Sequence, residues 1–187
     1  MEGFIHRCCR SGVKAIQLRE RDMTAEHQLN LAISIKKITK KYSSKLIVND
    51  RLDIAMLSKA DGIHSPENGI EAKDVRRINS KLLIGRSVHS IGSAGHAEKK
   101  GYDYLIFGPI FRTPSKIKFG KPQGLKKLQE VCKSVRIPVF AVGGIDPERA
   151  KKCLNAGAFG VDVIGAIFGS QDLKSTIREF KTVLGDL

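Results

Sequence analysis

Short apolar runs alternate with amphipathic stretches along the whole chain. Four phrases share one beat: "SGVKAIQLRE", "KADGIHS", "KKGYDYLIFG" and "NAGAFGVDVIG". Each has a small or basic helix end, a glycine, and then a β-rich apolar run. Glycine after a helix supplies the left-handed conformation that stops it. A run that is apolar on both faces suits a strand covered on both sides, as in parallel sheets. "KLIVND", "LLIGRSV" and "IPVFAVGG" are further runs of this kind. Between them lie helical patterns. "TAEHQLNLAISIKKITKK" places Leu29, Ala32, Ile33, Ile35 and Ile38 near one stripe. "DPERAKKCLNAG" opens on an Asp cap with Pro at the first helical position and closes on Gly. Asp22, ahead of "MTAEH", reads as a second cap.

This pattern predicts strands near 13–18, 45–49, 61–64, 82–87, 104–108, 138–142 and 160–164, alternating with seven or eight helices. Such alternation marks an α/β fold with a parallel sheet, either doubly wound or closed as a (β/α)8 barrel. No G-x-G-x-x-G follows the first strand, which counts against a dinucleotide fold. No Pro/Gly/Ser-rich linker interrupts the beat, so residues 1–187 read as a single domain.

Composition narrows the classes. The chain has 187 residues, enough for one sizeable core. No apolar run approaches the ~18 residues of a membrane-spanning helix, and "MEGFIHRCCR" lacks a secretory pattern. A cytoplasmic protein is expected. Cys8, Cys9, Cys132 and Cys153 match no zinc spacing and read as reduced thiols packed on helices. The net charge of +14 raises nucleic acid as a partner. The basic residues are spread, however. Lys36, Lys37, Lys40 and Lys41 share one helical face and read as a solvated surface, and no nucleic-acid motif is present. An anionic small molecule suits the charge better.

In either architecture the chemistry sits at the carboxyl ends of the strands. There the chain offers Gln17, Arg19, Glu20, Arg21 and Asp22; then Asn49, Asp50 and Arg51; then His64 and Ser65; then Arg86, Ser87 and His89. The run "LIFGPIFRTPSKIKFG" passes from buried strand directly into Arg112, Thr113, Ser115 and Lys116, two hydroxyls and two cations that suit an anion. "VGGIDPERA" sets Gly143 and Gly144 between a strand and a helix start, where amides without a neighbouring Cβ can approach phosphate. "VIGAIFGS" repeats the glycine arrangement on the next strand.

The ordered set "IQLRERD", "VNDRLDIA", "DGIHS", "IGRSVHS", "FGPIFRTPSK" and "PVFAVGGI" resembles the thiamine-phosphate synthase/TenI superfamily, from about Ser11 to Ser170. The resemblance implies a TIM-type (β/α)8 barrel and thiamine biosynthesis. Synthase members are transferases that join an aminomethylpyrimidine diphosphate to a thiazole phosphate, releasing pyrophosphate with magnesium help. By resemblance, Gln17, Arg19 and Arg21 hold the pyrimidine diphosphate, with Arg21 standing where Lys is usual. Asn49 matches the family's Asn-Asp pair and Ser87 its strand-end serine, both as substrate-binding residues, and Asp50 is the magnesium ligand. Thr113, Ser115 and Lys116 handle phosphate and the leaving group, and Gly143, Gly144 and Ile164 form the thiazole-phosphate end. Lys116, Arg19 and Ser115 are the residues expected to carry catalysis.

Three further features depart from the family pattern. The second magnesium-ligand position is Gly69 in "GIHSPENGI", and Gly165 replaces a last-strand serine. The family barrel starts with a strand before its first helix, whereas this chain starts on "EGFIHRCCRSG", so its barrel is expected to lack that first strand. The alternative readings are a metal-free TenI-like thiazole tautomerase and a non-catalytic phosphate-binding barrel. For the tautomerase, the histidine of some TenI proteins is Pro109 here, and His89 or His64 would serve instead. The sequence leaves oligomeric state open, a homo-oligomer included.

Overall fold

The apolar runs become strands and the amphipathic stretches helices in the computed structural model, which describes residues 1–113 and 122–185. Two compact units are present, Met1–Gly85 and Arg86–Leu187.

The first unit opens with α1 (Glu2–Arg10), then β1 (Ala15–Leu18), α2 (Ala25–Lys41), β2 (Lys45–Asn49), α3 (Leu52–Leu57), β3 (Gly62–Ser65) and α4 (Ala72–Ile78). Its strands pair in parallel and in chain order, with Gln17 opposite Ile47 and Asn49 opposite His64. Alternation along a strand then assigns the faces. Gln17, Asn49 and His64 share one face. Leu18, Leu46 and Val48 lie on the other, in a core with Ala32 and Ile35 of α2 and Ile54 of α3. Burying each of the Leu, Val and Ile side chains contributes about 1.5–3 kcal/mol over leaving it exposed.

β4 (Leu83–Val88) carries the chain into the second unit. There α5 (Ile91–Lys99), β5 (Tyr104–Phe107), α6 (Gly124–Ser134), β6 (Val139–Val142), α7 (Pro147–Asn155), β7 (Gly160–Asp162), α8 (Gly165–Phe168) and α9 (Leu173–Leu184) follow. β5, β6 and β7 are parallel neighbours, with Ile106 opposite Phe140 and Val142 opposite Asp162. Leu105, Phe107 and Ala141 point to a fully buried layer, and Tyr104 and Phe140 meet edge to face on the other side.

Local details refine the sequence reading. Asp146 caps α7 through the Arg149 amide, with Pro147 at the first helical position, as its sequence predicts. Thr24, not Asp22, caps α2, accepting from the His27 amide. β7 ends at Asp162 rather than 164, because Ile164 already flanks the short α8. Gly62 of "KADGIHS" does not end a helix. Lys59 takes the left-handed turn (φ 54). Gly62 is needed inside β3, where a Cβ would lie 2.5 Å from the Leu83 carbonyl oxygen. The four cysteines are free, with Cys8, Cys9 and Cys153 buried in α1 and α7. Lys36 is half-buried and paired with Asp61 at 2.7 Å, while Lys37, Lys40 and Lys41 are exposed.

Candidate functional site

In the first unit the polar residues gather at the carboxyl ends of three adjacent strands. Gln17 is half-buried near the end of β1, and Arg19 and Arg21 follow it, both exposed. Asn49 ends β2 on the same face as Gln17, directly opposite His64 of β3. Asp50 is exposed and left-handed (φ 65), a conformation Asp tolerates better than most residues. Its amide donates to the His64 carbonyl at 2.9 Å, the ladder bond that holds Asn49 opposite His64. Burial first, and the Arg19 cation second, push the His64 imidazole down to about 4, so the ring is neutral near pH 7. Arg19, Asn49, Asp50 and His64 are thus brought together.

Arg51 is committed elsewhere. Its guanidinium grips Asp53 with two bonds, at 2.9 and 2.5 Å, and reaches Gln28 at 3.4 Å. The Arg51 bond holds the Asp53 carboxyl below its usual range. Gln28 is 2% exposed, although its position reads as an ordinary polar helix residue. The signal that could have found it is spacing. Gln28, Ala32, Ile35 and Thr39 are the buried face of α2, a stripe of 4-3-4 steps with polar ends.

Magnesium binds through oxygen donors, carboxylates and phosphates above all. Asp50 offers one exposed carboxylate. At Gly69 a Cβ would sit 2.5 Å from Ser65 Oγ and 2.6 Å from Pro66 Cδ, so no carboxylate side chain fits this backbone. The turn is fixed by Gly69 N donating to the Pro66 carbonyl and by Ser65 Oγ donating to the Ile70 carbonyl, both at 2.8 Å. Among the described residues no group of three His, Cys, Asp or Glu side chains could hold a metal ion. The residues fit an ion carried mainly on phosphate oxygens and touched by Asp50, which is the usual style of magnesium binding. A second carboxylate does not come from position 69.

In the second unit, Ser87 is half-buried near the end of β4. His89 follows it and is exposed, with Nδ1 donating to the Gly108 carbonyl at 2.8 Å. A carbonyl only accepts, so the proton sits on Nδ1 and Nε2 is the basic nitrogen. Gly143 (φ 101) and Gly144 (φ 66) end β6 in a turn that other residues disfavour. The segment leading to Thr113 runs against this turn. Ile110 N donates to Val142 O at 2.9 Å and Phe111 N to Gly143 O at 3.0 Å. A Cβ on Gly144 would lie 2.8 Å from the Arg112 carbonyl oxygen. Arg149 of α7 clamps the pair: Nη1 donates to Gly144 O at 2.7 Å, and the guanidinium stacks 4.9 Å from the Phe111 ring centroid. No motif singles out Arg149 in the sequence, because its spacing from the glycines carries none. Thr113 is half-buried, while Ile164 is 58% exposed beside α8. Ser115 and Lys116 lie outside the described residues.

A family profile described as thiamine monophosphate synthase matches residues 2–167, across both units. The thiamine-phosphate synthase of Methanocella arvoryzae is 39% identical over 170 residues, 90% of this chain and 80% of that protein. That of Moorella thermoacetica is 38% identical over 174 residues, 92% and 83% respectively. Among solved structures, a thiamine phosphate pyrophosphorylase from Pyrococcus furiosus matches with a TM-score of 0.90 at 31% identity. It covers 98% of this chain and 88% of that one. The fold class is accordingly the TIM-type α/β class, with seven parallel strands among the described residues.

Proposed function

The chain belongs to the thiamine monophosphate synthase family, and on that premise we propose that it is a thiamine-phosphate synthase of thiamine biosynthesis, a transferase. Its substrates are a phosphorylated pyrimidine and a phosphorylated thiazole. The carbon–oxygen bond between the pyrimidine methylene and its diphosphate breaks, and pyrophosphate leaves with the electron pair. The thiazole nitrogen then donates its lone pair to that carbon, forming thiamine phosphate.

Such a reaction needs no nucleophilic side chain. It needs positive charge and hydrogen-bond donors aimed where negative charge builds up. Arg19 and Arg21, with Gln17 and Asn49, supply these at the ends of β1 and β2, and Ser87 is assigned to substrate binding by resemblance. Lys116 and Ser115, with Thr113, are assigned by resemblance to the departing pyrophosphate. The Gly143–Gly144 amides and Ile164 are assigned to the thiazole phosphate. Magnesium, when bound with the diphosphate, would offset the charge of the leaving group, and Asp50 would hold it. His64, neutral and buried beside Arg19, leaves that cation free to face an anion.

The observation that carries this reading is the gathering of Arg19, Asn49, Asp50 and His64 at adjacent strand ends, within the span the family profile matches. One observation favours a second reading, the metal-free thiazole tautomerase: His89 presents a basic Nε2 in a fixed ring. Incubation with both synthase substrates, with and without magnesium, decides between them. Magnesium-dependent formation of thiamine phosphate is expected. Isomerisation of the thiazole precursor without metal, and no coupled product, would favour the tautomerase.

A further inference from the structure

A buried side-chain amide must find partners for both its ends. Gln28 finds them on two different loops. Its Nε2 donates to the Glu20 carbonyl at 3.3 Å, and its Oε1 accepts from Arg51 Nη1 at 3.4 Å. Glu20 sits between Arg19 and Arg21 on the loop after β1. Arg51 follows Asn49 and Asp50 on the loop after β2, and its amide donates to Asn49 O at 2.8 Å. The Asp53 carboxylate fixes the rest of the Arg51 guanidinium, so Arg51 is a rigid arm rather than a ligand.

We propose that Gln28 is a positioning residue, whose amide sets the spacing between the Arg19/Arg21 loop and the Asn49/Asp50 loop and so shapes the diphosphate-binding end of the first unit. The proposal rests on the synthase reading for the identity of the substrate. Gln28 lies under the loops, on the buried face of α2, and touches no expected substrate atom. Its effect passes through two neighbours. Small misplacements of charged groups cost disproportionately in binding and rate, whereas the Glu20 carbonyl and the Arg51 guanidinium can take water if the amide is removed. Loss of Gln28 should therefore harm diphosphate recognition more than folding.

The test uses the full chain and inorganic pyrophosphate with magnesium as probe, read by calorimetry, beside steady-state kinetics. Gln28→Met keeps length and loses both bonds. It should weaken pyrophosphate binding and raise the KM for the pyrimidine diphosphate about tenfold. The KM for the thiazole phosphate should stay within about twofold. Gln28→Glu keeps the acceptor for Arg51 and loses the donor to Glu20, so a defect of the same kind is expected there, and this variant serves if the first does not fold. Combined with Arg19→Ala, either substitution should cost much less than it does alone, because it acts through that loop. Unchanged pyrophosphate affinity, equal losses for both substrates, full additivity with Arg19→Ala, or failure of both variants to fold would overturn the proposal. So would a wild-type chain that binds no pyrophosphate. A wild-type chain that binds pyrophosphate but makes no thiamine phosphate sinks the synthase reading alone. The calorimetric comparison would then still decide the role of Gln28.

Discussion

His64 is buried near the end of β3, where burial and the Arg19 cation favour the neutral imidazole. In the unfolded chain it titrates near its ordinary 6.5, and in the folded chain at about 4. Between those values the unfolded state binds the extra proton, so stability rises with pH across that window. The contribution is complete above about 6.5, declines as pH falls, and is gone below about 4. Urea denaturation from pH 4 to 8 should show this slope, and His64→Gln should flatten it. Residues of this kind were legible in part. A histidine at a strand end suggested chemistry, but whether it is buried or exposed depends on what the neighbouring strands place over it. Gln28 was not legible, because a polar residue one turn into a basic helix normally faces water.

α7 shows how far a local signal reaches. Asp146, Pro147 and the terminal glycine were readable because capping chemistry is written in adjacent residues, and the helix starts and stops where they say. Asp146 also pairs with the Arg149 guanidinium at 3.5 Å, steadying the side chain that bonds Gly144 O. Asp146→Ala should cost about 1 kcal/mol through the lost cap, measured as a lower urea midpoint with unchanged slope. Asp146→Asn should recover most of that. The strands were readable to within a residue or two wherever an apolar run was bounded by glycine or a charge. "VIGAIFGS" has no such boundary, and its apolar letters fit a strand end and a short helix equally. There the apolar run predicts a strand two residues longer than β7, and Ile164 lies beside a helix instead. Asp22 lost to Thr24 for a similar reason: two good capping residues stood close together, and only the helix register selects one.

Across the whole chain, the ordered run of motifs said more than any one of them. Parallel strands in chain order put their carboxyl ends on neighbouring positions, so residues distant in sequence, such as Asn49 and His64, meet. The excess of 33 basic over 19 acidic residues belongs with this chemistry, since both substrates are anions. What composition could not reveal is which charges are already spent: Lys36 is paired with Asp61 and Arg51 with Asp53. The corner at Gly69 has a practical consequence. With Gly69 leaving no room for a carboxylate at that corner, the diphosphate would have to bring most of the oxygens that hold a divalent ion, and the ion would arrive as a passenger on the incoming substrate. Stripping the purified protein with EDTA and dialysing the chelator away should leave it as active as before once magnesium is added with substrate. Its melting temperature should not change on the way. A protein that emerged unfolded or permanently dead from that treatment would have been carrying a built-in ion.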